Sequence, residues 1–237
     1  TNGDGDFTTT RNTVATRVNE NGLIEEVASN VPRLDYSDGG CPSLLLEGTA
    51  TNFLFNSDSG SSYQKYGSTL SLNQSISPNG GLNSSLLQGD GSQTQILGYT
   101  ANKTLPSAGD YAFSVFAKKG TSNFIMLFFD GFSGSSNDFA YFDLENGTTS
   151  NSFSKIENYG NGWYRCSIVG TVVSGDLIGR FSFRVSNSFT NFFFPTANDA
   201  IGKNAYFYGF QVEQNSYATS YIKTVGTAQT RSADTAN

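Results

Sequence analysis

Apolar and polar residues alternate one by one along most of this 237-residue chain, which is the pattern of β-strands with one buried face. In residues 111–119 the side suited to a core consists of Tyr111, Phe113, Val115 and Ala117. Residues 163–169 alternate in the same way, and their core side consists of Tyr164, Cys166 and Ile168. Turn sequences such as Asn-Gly separate about ten such segments, none of which has helical periodicity. The pattern predicts an all-β fold, a sandwich of antiparallel strands.

The first 47 residues differ from the rest of the pattern. They predict one hairpin, closed by an Asn-Gly turn at residues 21–22, followed by an extended arm around Pro32. A single hairpin and arm are too small to hold a core of their own. We therefore expect residues 1–47 to be a leader that docks onto the sandwich of residues 48–224 or onto a neighbouring chain.

The composition excludes several classes of function. The sequence has no histidine, which removes Ser-His-Asp and Cys-His catalysis and every histidine metal site. A net charge of −6 argues against a nucleic-acid partner, which requires a basic surface. The sequence contains no signal peptide and no apolar run long enough for membrane insertion. Two cysteines, Cys41 and Cys166, do not make a disulfide framework, and we interpret them as buried free thiols, with a disulfide between them as the alternative.

The polar side of the predicted strands offers a candidate binding face. If residues 111–119, 163–169, 180–186 and 206–213 belong to one sheet, its outer face carries Phe116, Lys118, Trp163, Arg165, Arg184 and Gln211. Aromatic rings stack on the C–H face of a sugar, and long side chains with N–H groups reach its hydroxyl or acidic groups. This combination predicts a glycan-binding face. The alternatives are an ordinary solvated sheet face and a contact within the chain or between subunits, where Trp and Arg are also common.

Metal and catalytic chemistry have weaker signals. Glu47, Asp110 and Glu213 are candidate oxygen ligands for a structural Ca²⁺, although no ligand spacing identifies a calcium loop. No motif joins two carboxylates into a glycosidase pair. We therefore expect no catalytic residue and no cofactor other than this calcium ion, so the chain is predicted not to be an enzyme.

Several segments resemble a family of bacteriophage virion proteins. Residues 15–25, 30–36 and 41–47 resemble the leader of these proteins. Gly-Asn-Gly-Trp-Tyr-Arg-Cys at residues 160–166, and the segment from Gln-Val-Glu-Gln to Tyr-Ile at residues 211–222, resemble their later motifs. In that family the motifs belong to a jelly-roll sandwich, similar to concanavalin and to carbohydrate-binding modules, in tail-fibre, spike or head-fibre polypeptides. Gly48 and Lys223 depart from the family, which has Pro at both places.

The resemblance implies a jelly-roll sandwich in a homotrimer at the virion surface, which binds a host-surface polysaccharide or other glycan during adsorption. It also implies that the leader contacts other virion proteins and that residues 225–237 are a linker to a following segment. One alternative is a structural capsid or tail decoration without a ligand. The second is the carbohydrate-binding module of a secreted polysaccharide-degrading enzyme.

Overall fold

The chain folds almost entirely into β-structure, in a computed structural model that describes residues 8–132, 134 and 138–236. These residues contain 21 strands and a single helical turn, α1 (Ala197–Ala200). The first strands are β1 (Thr9–Thr10), β2 (Ala15–Val18), β3 (Ile24–Val27), β4 (Leu34–Asp35), β5 (Ser43–Leu44), β6 (Ala50–Asn52), β7 (Gln64–Tyr66), β8 (Ser68–Ile76), β9 (Leu82–Gly89), β10 (Ile96–Tyr99) and β11 (Lys103–Thr104). The remaining strands are β12 (Gly109–Lys119), β13 (Phe124–Asp130), β14 (Phe139–Asp143), β15 (Thr148–Thr149), β16 (Ser154–Asn158), β17 (Trp163–Val172), β18 (Ile178–Ser186), β19 (Asn204–Glu213), β20 (Gln229–Arg231) and β21 (Thr235–Ala236).

Two antiparallel sheets make the sandwich. One has seven strands in the order β15-β14-β13-β18-β10-β7, with β11 also paired to β18. The other has six strands in the order β16-β17-β12-β19-β9-β8. The fold is therefore a jelly-roll β-sandwich, as predicted. No helix of the described residues is long and apolar enough to cross a membrane.

The core between the sheets follows the alternation of the sequence. The four residues predicted for the core side of β12 are fully buried, and so are Cys166 and Ile168 of β17. Tyr164 is partly buried and packs against the same core. Burying a large apolar side chain of this kind contributes about 1.5–3 kcal/mol, so the two central strands anchor the fold.

A β-bulge in β19 changes which residues face outwards. Ser114 lies opposite Gln211 and Phe116 lies opposite Tyr208, so two residues of β19 stand against one of β12. Gly209 has a φ of +67° there, and a Cβ at this position would come 2.9 Å from the Phe116 ring, so glycine is required. Strict alternation counted from Gln211 places Phe207 outwards and Tyr208 in the core, whereas Phe207 packs in the core and Tyr208 in the cluster on the outer face, because the bulge shifts the pattern by one residue.

The leader packs onto the outer face of the six-stranded sheet. Its hairpin, β2 paired with β3, brings Ile24 against a second apolar cluster formed with Phe116, Trp163, Tyr208 and Tyr221. The extended arm forms the short pair β4–β5. The leader therefore docks on the sandwich of its own chain, which is one of the two arrangements expected.

The end of the chain holds the leader in place. Residues 225–237 are predicted as a linker, whereas the structure has β20 paired with β6 and β21 paired with β1. Strands of two or three residues are too short to show a periodicity in the sequence. Their partners also lie more than 170 residues away, so no local pattern indicates the pairing.

Buried ion pairs join the same segments. Glu47 pairs with Arg33 and with Arg231, each at 2.8 Å, and Asp234 pairs with Arg11 at 2.9 Å and also with Arg33. The guanidinium-bearing side chains of Arg33 and Arg231 are fully buried. The leader and the last strands are thus linked through charges that have little contact with water.

The two cysteines are not paired with each other. Cys166 is buried in the core, and Cys41 is an exposed free thiol in the connection between β4 and β5. The prediction of free thiols holds for both residues, but the prediction that both are buried is wrong for Cys41, because the leader has no core around this connection.

Candidate binding surface

The face predicted for glycan binding is covered in the structure. Phe116, Trp163, Arg165 and Gln211 do share the outer face of the six-stranded sheet, on β12, β17 and β19. The leader and the segment after β19 lie over them, and all four are buried. Their role in glycan binding stays a prediction, and the structure gives it little exposed surface.

The contacts of these side chains are internal to the chain. The Trp163 indole donates a hydrogen bond to the carbonyl of Ile76 at 2.9 Å. The amide of Gln211 donates to Glu213 at 2.6 Å and accepts from the backbone of Ile222 at 2.7 Å. The alternative of an intrachain contact therefore describes this face, with Trp163 and Gln211 acting as bridges to neighbouring segments.

The other two predicted residues lie elsewhere. Lys118 is half-buried at the rim of the same sheet, beside Gly162. Arg184 is on β18, which belongs to the seven-stranded sheet, so the prediction that it shares a face with Arg165 is wrong. Alternation shows which residues of a strand lie on one side, but it contains no information about which sheet the strand joins.

The predicted calcium ligands have protein partners. Glu47 and Glu213 both approach residues 219–220, where Arg231 supplies positive charge. Asp110 lies apart and accepts a hydrogen bond from Thr171 at 2.6 Å. In the part of the chain that the structure describes, no group of three or more Asp, Glu, Cys or His side chains is placed to hold a metal ion.

The outer face of the seven-stranded sheet has the chemistry that the sequence analysis assigned to the other sheet. Its central strand β18 places Arg180, Ser182 and Arg184 outwards, because Phe181, Phe183 and Val185 fill the core. The neighbouring strands add aromatic rings beside them. We call this surface the arginine–aromatic face, and its residues are Tyr99, Phe128, Asp130, Phe139, Arg180, Ser182 and Arg184.

A carboxylate organises the arginines of this face. Asp130 pairs with Arg180 at 2.8 Å and with Arg184 at 3.6 Å, and it accepts a hydrogen bond from Ser182 at 3.3 Å. Burial lowers the pKa of Arg184 from its ordinary value, and the charge of Asp130 opposes this shift. Asp130 therefore fixes two long and otherwise mobile side chains in one arrangement.

Each arginine also lies over an aromatic ring. The Arg180 guanidinium is 4.8 Å from the centre of the Tyr99 ring, and that of Arg184 is 4.8 Å from the Phe128 ring. Phe139 meets Phe128 edge to face at 6.2 Å and remains 40% exposed. The surface thus combines rings that a sugar can stack on with guanidinium groups fixed by cation–π contacts.

The loop after β18 closes one end of the face. The Phe192 ring centre lies 4.6 Å from the Arg184 guanidinium, and the backbone of Phe192 is hydrogen-bonded to the Tyr141 hydroxyl. Of its neighbours, Phe193 is exposed and Phe194 is buried in the core. Arg184 thus contacts two rings, Phe128 and Phe192, and is only 7% exposed, so the accessible part of the face lies towards Arg180, Tyr99 and Phe139.

The sequence contained part of this signal. Residues 124–130 alternate between a core set and an outer set that includes Phe128 and Asp130. The sequence analysis missed them because the paired residues of β13 and β18 lie 50 or more positions apart in the sequence. Only Arg184 of the predicted site belongs to the arginine–aromatic face.

The chain is similar to solved structures of low sequence identity. No protein-family model and no curated protein matches it. It is similar to the enzymatically active domain of tailspike protein 4 from bacteriophage CBA120, with 14% identity and a TM-score of 0.40 over 68% of this chain and 21% of that one. It is also similar to the CBM22-1–GH10 modules of Clostridium thermocellum endo-1,4-β-D-xylanase 10B, complexed with xylohexaose, with 13% identity and a TM-score of 0.42 over 75% and 30% of the two chains.

A third similar structure is the carbohydrate-binding module CBM6cm-2 of Cellvibrio mixtus lichenase 5A in complex with cellotriose. The identity is 11% and the TM-score 0.36, over 72% of this chain and 99% of that module. The chain thus spans about a fifth of the tailspike domain and under a third of the xylanase modules. At these identities and TM-scores, the similarities carry no inference about a ligand or an activity.

Proposed function

We propose that this chain is a non-catalytic module that binds glycan on the arginine–aromatic face. The observation that carries the proposal is the pair of guanidinium groups held over Tyr99 and Phe128 beside the exposed ring of Phe139. We expect a pyranose ring that stacks on Phe139 to direct its hydroxyl groups towards the guanidinium of Arg180, which is the more exposed of the two arginines.

The face suits binding better than hydrolysis. Asp130 is engaged with Arg180, Arg184 and Ser182, so it positions these side chains and is not aimed at a substrate. A glycosidase would need a second carboxyl group at a fixed distance from the first, across the scissile bond. A recognition role requires only the rings and donors that the face presents.

The motifs shared with virion proteins support a more specific setting. We propose that the module is part of a homotrimeric fibre or spike at the virion surface, where it attaches to a host-surface glycan, and that its leader also contacts other virion proteins. The carbohydrate-binding module of a polysaccharide-degrading enzyme would use the same face, and a reducing-sugar assay on host polysaccharide with the whole protein separates the two settings.

A glycan array followed by calorimetry tests the binding face. We expect Phe139→Ala to weaken the affinity for the glycan found on the array about fivefold, because a stacked ring contributes about 1 kcal/mol. Tyr217→Ala is the matched control, since Tyr217 is 54% exposed and lies near β16 on the other sheet. No binding on the array, or equal losses for the two variants, would refute the proposed face.

A structural attachment role is the second candidate. It is favoured by four exposed apolar residues among the described residues of the leader, Val14, Val31, Leu34 and Leu46. A decoration protein would bury such residues against a neighbouring subunit. Sedimentation of the whole chain measures its mass in solution and so tests both this candidate and the homotrimer. A homotrimer has three times the mass of one chain.

A further inference from the structure

A cleft runs between the leader and the edge of the six-stranded sheet. Its inner part is a cavity of about 180 Å³ with Phe116 and Arg165 in its floor and Asp35 and Ser37 of the leader in its wall. This volume is room for about six waters or one sugar ring. A second cavity of about 310 Å³ shares Glu157 and three other residues with the first. We call this space, from the loop at residues 36–39 to Arg165, the leader cleft.

Arg165 is the least compensated charge of this cleft. It is only 4% exposed, and its guanidinium donates to the Ser114 hydroxyl at 3.1 Å and is hydrogen-bonded to Tyr159. It also lies over the Phe116 ring at 5.4 Å. Within the described residues its Nε has no hydrogen-bond partner, and no carboxylate lies within 4.0 Å of the guanidinium. Glu157 of β16 lies directly opposite Arg165 in the strand pairing but forms no ion pair with it, so the buried charge is only partly compensated, which is costly for the fold.

The carboxylates around the cleft already have partners. Glu157 pairs with Lys155 at 2.6 Å. Asp35 accepts hydrogen bonds from the backbone of Val18 at 2.7 Å and of Ser37 at 3.1 Å. Glu47 is held by its two arginines. Arg165 is therefore the charged group of the cleft that lacks an ion-pair partner among the described residues. The negative charges of Glu157 and Asp35 limit how strongly the cleft can bind an anion.

We propose that the leader cleft binds the carboxylate group of an acidic saccharide, with Arg165 as the residue that pairs with it. A uronate combines the carboxylate that Arg165 lacks with hydroxyl groups for Ser37, Tyr159 and the rim of the cleft. The site lies on the opposite sheet from the arginine–aromatic face, so it is independent of the glycan binding proposed there. Arg165 belongs to the face that the sequence analysis predicted for glycan binding. In this proposal its ligand enters from the side of the leader.

Nuclear magnetic resonance of the arginine Nε–H groups tests the site in the whole chain. Glucuronate, glucose and acetate are titrated separately, and Arg165→Lys identifies the Arg165 signal. We expect glucuronate to shift this signal at millimolar concentrations and glucose to leave it unchanged. An equal response to acetate and glucuronate would overturn the saccharide assignment, and no response to either acid would overturn the site.

A charge variant tests the location without altering the buried side chain of Arg165. Glu157→Gln removes a negative charge from the cleft wall, so we expect the affinity for glucuronate to rise about threefold and to depend on salt. Glu145→Gln is the matched control, because Glu145 is also paired with a lysine, Lys119, but on another part of the surface. Equal affinities of the two variants would contradict binding in the cleft.

Discussion

The hydroxyl groups of two buried tyrosines, Tyr63 and Tyr221, differ strongly in their hydrogen bonding. Tyr63 packs against Phe210 at 4.8 Å, and its hydroxyl has no partner among the described residues. The cavity beside it is about 10 Å³, at the lower limit of what one water needs. The hydroxyl of Tyr221 is bonded to Ser57 at 2.6 Å and to Asp58 at 2.5 Å. The same side chain is therefore unsatisfied at one position and fully satisfied at the other.

Removing the two hydroxyls should have opposite effects on stability. We expect Tyr63→Phe to stabilise the protein by about 1 kcal/mol, because it removes a buried group whose desolvation is not offset. Tyr221→Phe should destabilise it by about 1.5–3 kcal/mol, because it removes two hydrogen bonds of a buried hydroxyl group, one of them to the charged carboxylate of Asp58. The free energies of unfolding come from urea titrations. A loss of stability in Tyr63→Phe similar to that in Tyr221→Phe would show that the Tyr63 hydroxyl has a partner.

Among the elements, the last strands have the largest difference between sequence and structure. The segment predicted as a linker contributes β20 and β21, and it carries Arg231 and Asp234 into the buried ion pairs. The leader hairpin therefore depends on residues at the other end of the chain.

Shortening the chain to residues 1–224 tests this dependence. We expect amide hydrogen exchange in β2, β3 and β6 to accelerate at least tenfold, because the variant removes two strand pairings and leaves Arg11 and Arg33 partly uncompensated. The control is Thr227→Ala with Gln229→Ala, which changes only exposed side chains of the same segment. Unchanged exchange in residues 1–224 would mean that the segment is a linker, as the sequence suggested.

The sequence predicted elements better than it predicted their neighbours. The core sides of β12 and β17 were correct because alternation is a property of consecutive residues. The placement of Arg184 on the same face as Arg165 was wrong, since the sheet that Arg184 joins depends on strands far along the chain. The covering of Trp163 by Ile24 of the leader is equally non-local, and the bulge at Gly209 depends on the fit of one glycine against the Phe116 ring.

For the whole molecule, the buried ion pairs make stability depend on pH. Burial alone raises the pKa of Glu47, but Arg231, Ser220 and Arg33 outweigh it and hold the pKa below its ordinary value. Burial also raises the pKa of Asp234. Hydrogen bonds from Arg33, Arg11 and the backbone of Glu47 outweigh burial and hold this pKa below its ordinary value. A carboxyl group with a lowered pKa in the folded state stabilises it fully above the unfolded pKa. That contribution is lost as the pH falls through the folded pKa.

Thermal unfolding between pH 7 and pH 3 should therefore show a falling Tm below about pH 4.5, near the ordinary pKa values of these groups. Glu47→Gln should cost about 3–5 kcal/mol at pH 7, because it leaves two buried arginines without this counter-ion, and its Tm should depend less on pH. Glu145→Gln should change stability by less than about 0.5 kcal/mol, since its ion pair is exposed. Parallel pH curves for the wild type and Glu47→Gln would contradict this account.

The pairing of β1 with β21 has a consequence for mechanical load. The two strands are antiparallel, with Thr9 opposite Ala236 and Thr10 opposite Thr235. A tension applied through these two ends acts across the ladder at one of its ends, so its hydrogen bonds break one after another. The β1–β21 pair is two residues long, and the next pair in line, β6 with β20, is only three residues long. Under tension, the leader and the last strands would therefore detach from the sandwich at low force. The chain would lengthen before the long strands of the sandwich carry any load.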